Sequence, residues 1–245
     1  MIGHTYLNAA REILDHLENT QLDAVEAAAD LVVHAMQNGG AIYCSEIGHG
    51  IQSDFIYRAG GLVAVKHFDY RISVTSPQPK SRAGLPPIEP DTELANVRHA
   101  VRVSNLRPGD VMLVASVSGR NLRPVELALA CRERGVKTIG FTAMTYTAEV
   151  ESLHPSGKRL ADAVDVVIDN GAPYGDAGIQ VPGYDIPLVP MSGIGMVASG
   201  WLIWSRVMEK MAAAGTPASV LLSHNRTGGP EHNTAACTAY DTQGY

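Results

Sequence analysis

The sequence predicts an α/β fold in which five buried strands form a parallel sheet covered by helices on both faces, preceded by a pair of helices. Three observations predict it. Five short, almost wholly apolar runs recur along the chain, amphipathic helical patterns separate most of them, and turn residues close the connections. Apolar runs without polar alternation are what strands buried on both faces require, and regular strand–helix alternation is the pattern of a parallel sheet.

In chain order, Tyr6, Ala10, Ile13, Leu14 and Leu17 recur at helical spacing, and Leu22, Val25, Ala29, Val32 and Met36 repeat the pattern. Thr20 with Asp23 reads as a capping box for the second helix, and Asn38-Gly39-Gly40 as its stop. The predicted strands are Ala41–Cys44, Leu62–Val65, Val111–Ala115, Thr138–Phe141 and Val164–Ile168. Helical patterns fall at His49–Arg58, Glu93–Asn105, Arg123–Arg134 and Thr145–Ser152. Gly60-Gly61, Arg107-Pro108-Gly109-Asp110 and Gly135 supply turns. The proline-rich stretch Tyr70–Asp91 is too long for a routine connection and reads as a lid, a subunit-contacting arm or a solvated insertion. Ile194–Met208 is the longest apolar stretch; it contains Ser199, Ser205 and Arg206, falls short of the roughly 18 residues of a spanning helix, and reads as a buried helix.

Composition narrows the function classes. The chain has 245 residues, 45% hydrophobic and 18% charged, so a packed core is expected rather than disorder. That length fits one domain over 1–245, with helices in 1–38, an α/β core in 39–215 and a C-terminal tail in 216–245. A net charge of -6 without a Lys/Arg-rich run argues against nucleic-acid partners, and no membrane partner is expected. Cys44, Cys131 and Cys237 form no CxxC pair, and Met1–Asn8 lacks a basic-then-apolar leader, so reduced thiols and a cytoplasmic location are expected. Neither HExxH nor zinc-type spacing occurs, and no GxxxxGK[ST] or GxGxxG motif follows a strand; no metal and no cofactor are expected.

Ligands of an open parallel sheet collect where strand carboxyl ends run into helix N-termini. Three loops qualify: Ser45–Gly50, Ser116–Asn121 and Thr142–Thr147. In the second, two serine hydroxyls, Gly119 and the amides of the next helix suit an anion such as phosphate, with Asn121 as a cap; the same residues also make an ordinary turn. In the first, Glu46 and His49 suit proton transfer in enediol chemistry, or else a helix-start acid and a surface histidine. Late in the chain His224, Glu231 and His232 add acid–base candidates, with Asn225 beside His224, in a tail that is either functional or exposed, anchored by the strand-like Val220–Leu222.

Four segments together resemble the SIS (sugar isomerase) domain family, in particular a sugar isomerase domain branch related to phosphoheptose isomerases. They are Tyr57–Leu62, Ser116–Asn121 with Pro124–Ala128, His154–Leu160, and Asp169-Asn170-Gly171 with Gly175-Asp176-Ala177. The resemblance implies a flavodoxin-like three-layer α/β/α sandwich assembled as a homodimer or homotetramer, with sites near the subunit interface. It also implies a sugar phosphate ligand, with Ser116, Ser118 and Asn121 on the phosphate side, and aldose–ketose isomerisation; other relatives cleave ethers or only sense ligands. The chain departs from the family's Gly-Thr-Gly-His-Ser-His type loop by reading Cys44-Ser45-Glu46-Ile47-Gly48-His49. A glutamate there repels a phosphate brought close, which leaves a differently placed substrate or Glu46 recruited as a base.

The expected function is therefore phosphosugar isomerisation, with a non-catalytic phosphosugar sensor or a lyase/etherase as alternatives. Candidate catalytic residues are Glu46, His49, Glu126 and His224. Candidate substrate-binding residues are Ser45, Ser116, Ser118, Gly119, Arg120, Asn121 and Asn225.

Overall fold

The computed structural model describes residues 1–85 and 93–245. Two helices, α1 (Ile2–Thr20) and α2 (Leu22–Gln37), lead into β1 (Ile42–Ser45). There follow β2 (Val65–Phe68), α3 (Glu93–Val103), β3 (Val111–Ala115), α4 (Leu122–Glu133), β4 (Lys137–Thr142), α5 (Met144–Ala148), α6 (Leu160–Ala163) and β5 (Val166–Asp169). A small antiparallel hairpin of β6 (Ala177–Ile179) and β7 (Leu188–Pro190) precedes the long α7 (Ser192–Ala213) and the C-terminal α8 (Gly229–Gln243).

The five-stranded sheet is parallel throughout, in the order β2-β1-β3-β4-β5. All five residues of the central β3 are buried, and alternate side chains serve opposite faces. Val111, Leu113 and Ala115 join the core beneath α2 and α7, with Val25, Val32, Trp204 and Val207. Met112 and Val114 join the opposite core beneath α3 and α4, with Val97, Val101, Val125 and Ala128. The two faces are thus both covered, giving the three layers. Across the outer surface of α2 and α7, Glu26 meets Arg206 at 2.6 Å and Lys210 at 2.5 Å, and the two cations hold its carboxyl down at about 2.

Four predicted strands lie within two residues of those observed, and β2 differs. The run Leu62–Val65 is buried, but its first part pairs with the C-terminal segment: Leu62 bridges Val220, and Val63 N–H donates to the Ser219 carbonyl at 3.0 Å. Burial made that run apolar, and apolarity does not say which partner a backbone takes. The predicted helix His49–Arg58 is only a 3-10 turn at Gln52–Asp54. Its apolar residues are buried for another reason: the Phe55 ring fills the notch left by Gly200 of α7, with Trp201 and Trp204 edge-on to it. Tyr57, with φ at 57°, then turns the chain out of helical geometry. Thr20 does not cap α2; it ends α1, and its hydroxyl bonds back to the His16 carbonyl at 2.7 Å. The tail carries α8, a helix its polar composition concealed. Of the stretch Tyr70–Asp91, residues 71–85 are exposed, and its prolines Pro86, Pro87 and Pro90 lie outside the described residues. No helix among the described residues is long and apolar enough to cross a membrane.

Gly195 lets α7 approach the end of β5. An added Cβ there stands 1.9 Å from the Asn170 carbonyl oxygen, a backbone atom, whereas one at Gly193 meets nothing within 4 Å. Gly195→Ala is expected to destabilise the fold by about 1–3 kcal/mol or more through overpacking. Gly193→Ala should be neutral or stabilise by about 0.4–1 kcal/mol. Urea unfolding of the two variants checks the contrast.

Candidate functional site

The order β2-β1-β3-β4-β5 places a topological switch between β1 and β3, where the chain leaves neighbouring strands in opposite directions and a crevice opens at their carboxyl ends. A cavity of about 530 Å³ lies there. Its walls include Gly48 and His49 from the loop after β1, Ser116–Ser118 and Asn121 from the loop after β3, and Tyr146 of α5.

Gly48 is required on the first wall. Its φ is +106°, and an added Cβ would stand 2.3 Å from the Ala115 carbonyl oxygen. The next amide, of His49, donates to that carbonyl at 2.8 Å, so the loop is strapped to the end of β3 and presents His49 at the cavity.

The second wall has a one-sided hydrogen-bonding pattern. Every carbonyl from Ser116 to Asn121 is taken: Ser116 by Gly119 N–H, Val117 by Ala143 N–H, Ser118 by the Thr147 hydroxyl, Gly119 by Leu160 N–H, Arg120 by Leu153 N–H and Asn121 by Val125 N–H. The amides of Val117, Ser118, Arg120 and Asn121 have no acceptor among the described residues. In a trans peptide the carbonyl and the following amide point to opposite sides. With those carbonyls engaged on one side of the loop, the amides of Ser118, Arg120 and Asn121 are left on the other, and Ser118 and Asn121 line the cavity. The first-turn amides of α4 add to these, and Asn121 stands at the N-cap position without a side-chain capping bond. Such a concave array of N–H groups at a helix N-terminus is an anion receptor. Gly119, at φ +66°, makes the turn, and an added Cβ would crowd the hydroxyls of Thr142 and Thr147 at 3.0 Å.

The remaining sequence candidates divide. His49, Ser116, Ser118 and Asn121 line one cavity; Gly119 and Arg120 belong to the same loop but are not on its wall. Glu46 is turned to His67 of β2, 3.1 Å from its Nδ1, and is not part of the lining. Ser45 is buried and shapes the turn by accepting Ile47 N–H at 2.9 Å. Glu126 is buried on α4, bound to His154 and Arg98, and is likewise outside the lining. His224 borders a separate cavity of about 600 Å³ with Tyr57, Leu222 and Cys237, and Asn225 is exposed beside it.

Sequence reasoning passed over three lining residues with polar or ionisable groups, Glu93, Arg123 and Tyr146, and the apolar Leu122 and Leu153. Glu93 is the first residue of α3 and the only carboxylate on the described wall. Arg123 stacks on Tyr70 at 5.6 Å, and Tyr146 meets Tyr174 edge-on at 4.8 Å. Tyr146 falls within the third loop named from sequence, and that loop was the available signal. No group of three or more His, Cys, Asp or Glu side chains that could hold a metal occurs among the described residues. The Cys44 thiol is buried, and burial, with Glu46 adding, pushes it up to about 12, so it is no thiolate nucleophile at neutral pH.

Residues 5–143 match the SIS domain. A UPF0309 protein of Listeria innocua is 32% identical over 97% of this chain and 95% of its own length. A UPF0309 protein of Geobacillus kaustophilus is 34% identical over 91% and 89%. Among solved structures, a phosphoheptose isomerase from Neisseria gonorrhoeae superposes with a TM-score of 0.51 at 16% identity, covering 86% of this chain and 96% of that one. At that identity the likeness is one of fold.

Proposed function

Since the chain belongs to the SIS domain family, we propose that the cavity between β1 and β3 binds a sugar phosphate and interconverts its aldose and ketose forms. The observation that carries this reading is the set of amides at Ser118, Arg120 and Asn121 that have no acceptor among the described residues, flanked by the hydroxyls of Ser116 and Ser118. A phosphate dianion satisfies these donors at once, and α4 directs its positive end at the same point. A fold shared with an enzyme whose name specifies a heptose phosphate agrees with that ligand class.

With the phosphate on the serine loop, the sugar carbons extend along the wall that carries Glu93, His49 and Tyr146. Glu93 takes the proton from the carbon beside the carbonyl and returns it to the neighbouring carbon, passing through an enediol. His49 moves the proton between the two oxygens and assists ring opening. Tyr146 offers an apolar face to the sugar. Such isomerisation leaves the redox balance within one substrate and needs no external electron carrier.

A second reading, a sensor that binds the same ligand without turnover, draws on the exposure of both His49 and Glu93, because a base poised for carbon acids is usually desolvated. A panel of aldose and ketose phosphates incubated with the protein in deuterated water separates the readings. Isomerisation incorporates deuterium at C1 or C2 of at least one member. Saturable binding without exchange assigns the sensor, and no binding by any member removes both. Product analysis separately identifies a lyase or etherase that begins with the same proton abstraction.

A further inference from the structure

Glu126 was a candidate base from sequence, but its surroundings suit a different task. It is 2% exposed, one turn into α4, below the loop that carries the free amides. Its Oε2 lies 2.6 Å from Nε2 of His154, itself 7% exposed, and its Oε1 meets the Arg98 guanidinium. The Ser156 amide donates to His154 Nδ1 at 3.2 Å, which makes that nitrogen an acceptor and leaves Nε2–H to donate to Glu126. Arg98, held also by Glu133 at 2.7 Å, supplies the countercharge that a buried carboxylate requires.

His154 sits in the middle of the connection 149–159. On either side of it the chain is sewn to the serine loop: Leu153 N–H to the Arg120 carbonyl at 3.0 Å, and Leu160 N–H to the Gly119 carbonyl at 2.7 Å. Those two bonds fix the Gly119 and Arg120 carbonyls and therefore hold the amides of Arg120 and Asn121 on the opposite side of the loop. Ser152 tightens the same connection, its hydroxyl donating to the Lys158 carbonyl and accepting the His154 amide at 3.0 Å.

We propose that Glu126 and His154 are positioning residues, whose buried hydrogen bond clamps the connection 149–159 to α4 and so holds the amides of Arg120 and Asn121 in the anion-binding orientation. Neither residue touches the ligand. The assignment rests on reading the cavity as a phosphate site.

The test compares the wild-type protein with His154→Ala, His154→Gln, His154→Leu and Ser152→Ala, using calorimetric titration with inorganic phosphate and residue-resolved amide hydrogen exchange. His154→Ala is expected to weaken phosphate binding by about tenfold or more, the effect of one lost charge-assisted bond on the loop's geometry. It should also speed exchange at Leu153 and Leu160 ahead of the sheet amides. His154→Gln, whose amide can still donate to Glu126, should recover most of both, whereas His154→Leu, of similar size but with no donor, should not, a difference that core packing alone does not give. Should His154→Ala not fold, Ser152→Ala is expected to show the same two changes at about threefold. Wild-type binding with unchanged affinity and exchange in the variants overturns the clamp and leaves the phosphate site standing. Absence of phosphate binding by the wild type overturns the site itself, and the clamp with it.

Discussion

Ser118→Asp is expected to raise the dissociation constant for a sugar phosphate by about 100-fold or more while leaving the melting temperature unchanged or higher. Ser118 is half-buried, and its hydroxyl has no hydrogen-bond partner among the described residues, so the substitution breaks no contact. A separation of about 4 Å between such a carboxylate and a bound phosphate sets the scale of the repulsion. At an effective dielectric of about 20 each pair of unit charges repels by about 4 kcal/mol, and a fraction of that exceeds the ~2.8 kcal/mol that a 100-fold change requires. The carboxylate also accepts the loop's own free amides, acting as a tethered ligand, and for that reason stability should not fall. Thermal melting with calorimetric titration checks both halves. Binding at wild-type affinity would place the anion elsewhere.

Glu93→Gln is expected to lower kcat for the isomerised sugar phosphate by about 10²–10⁴-fold with phosphate affinity little changed. The replacement keeps shape and removes the ability to take a proton from carbon. Glu46→Gln should leave kcat near wild type, because Glu46 is engaged with His67 outside the cavity lining. Steady-state kinetics on the two variants decides between them. A loss with Glu46→Gln and none with Glu93→Gln would return the base to the loop after β1.

The contrast between those two glutamates shows where sequence reading stops. Five apolar runs and the helical patterns between them made the sheet legible, because burial on both faces leaves a continuous mark in composition. Partners left no such mark: the segment around Leu62 was apolar enough for a central strand yet pairs with Ser219–Leu221, and His49–Arg58 had helical spacing because Phe55 enters a notch made by Gly200. The hairpin of β6 and β7 and the helix α8 have too few apolar residues to announce themselves.

At the site, the serine loop could be read because all its donors are contiguous in the chain. Glu93 could not, since only the β1–β3 crevice brings the start of α3 beside His49 and Asn121. Glu126 and His154 lie 28 positions apart, and each alone resembles an exposed helix acid or a loop histidine. Their meeting in the core is a product of the fold. The half-buried Glu46, which from sequence threatened a bound phosphate, is directed to β2 instead, so the departure in the first loop does not put a charge on the cavity wall.

The central claim is that an anion sits on the amides of the loop after β3. Titrating ¹⁵N-labelled protein with inorganic phosphate and following each backbone amide resonance tests it most directly. The account predicts saturable shifts that are largest at Ser118, Arg120 and Asn121 and extend to Leu122 and His49. Shifts confined to Leu221–His224 and α8, or no shifts at all, would contradict it.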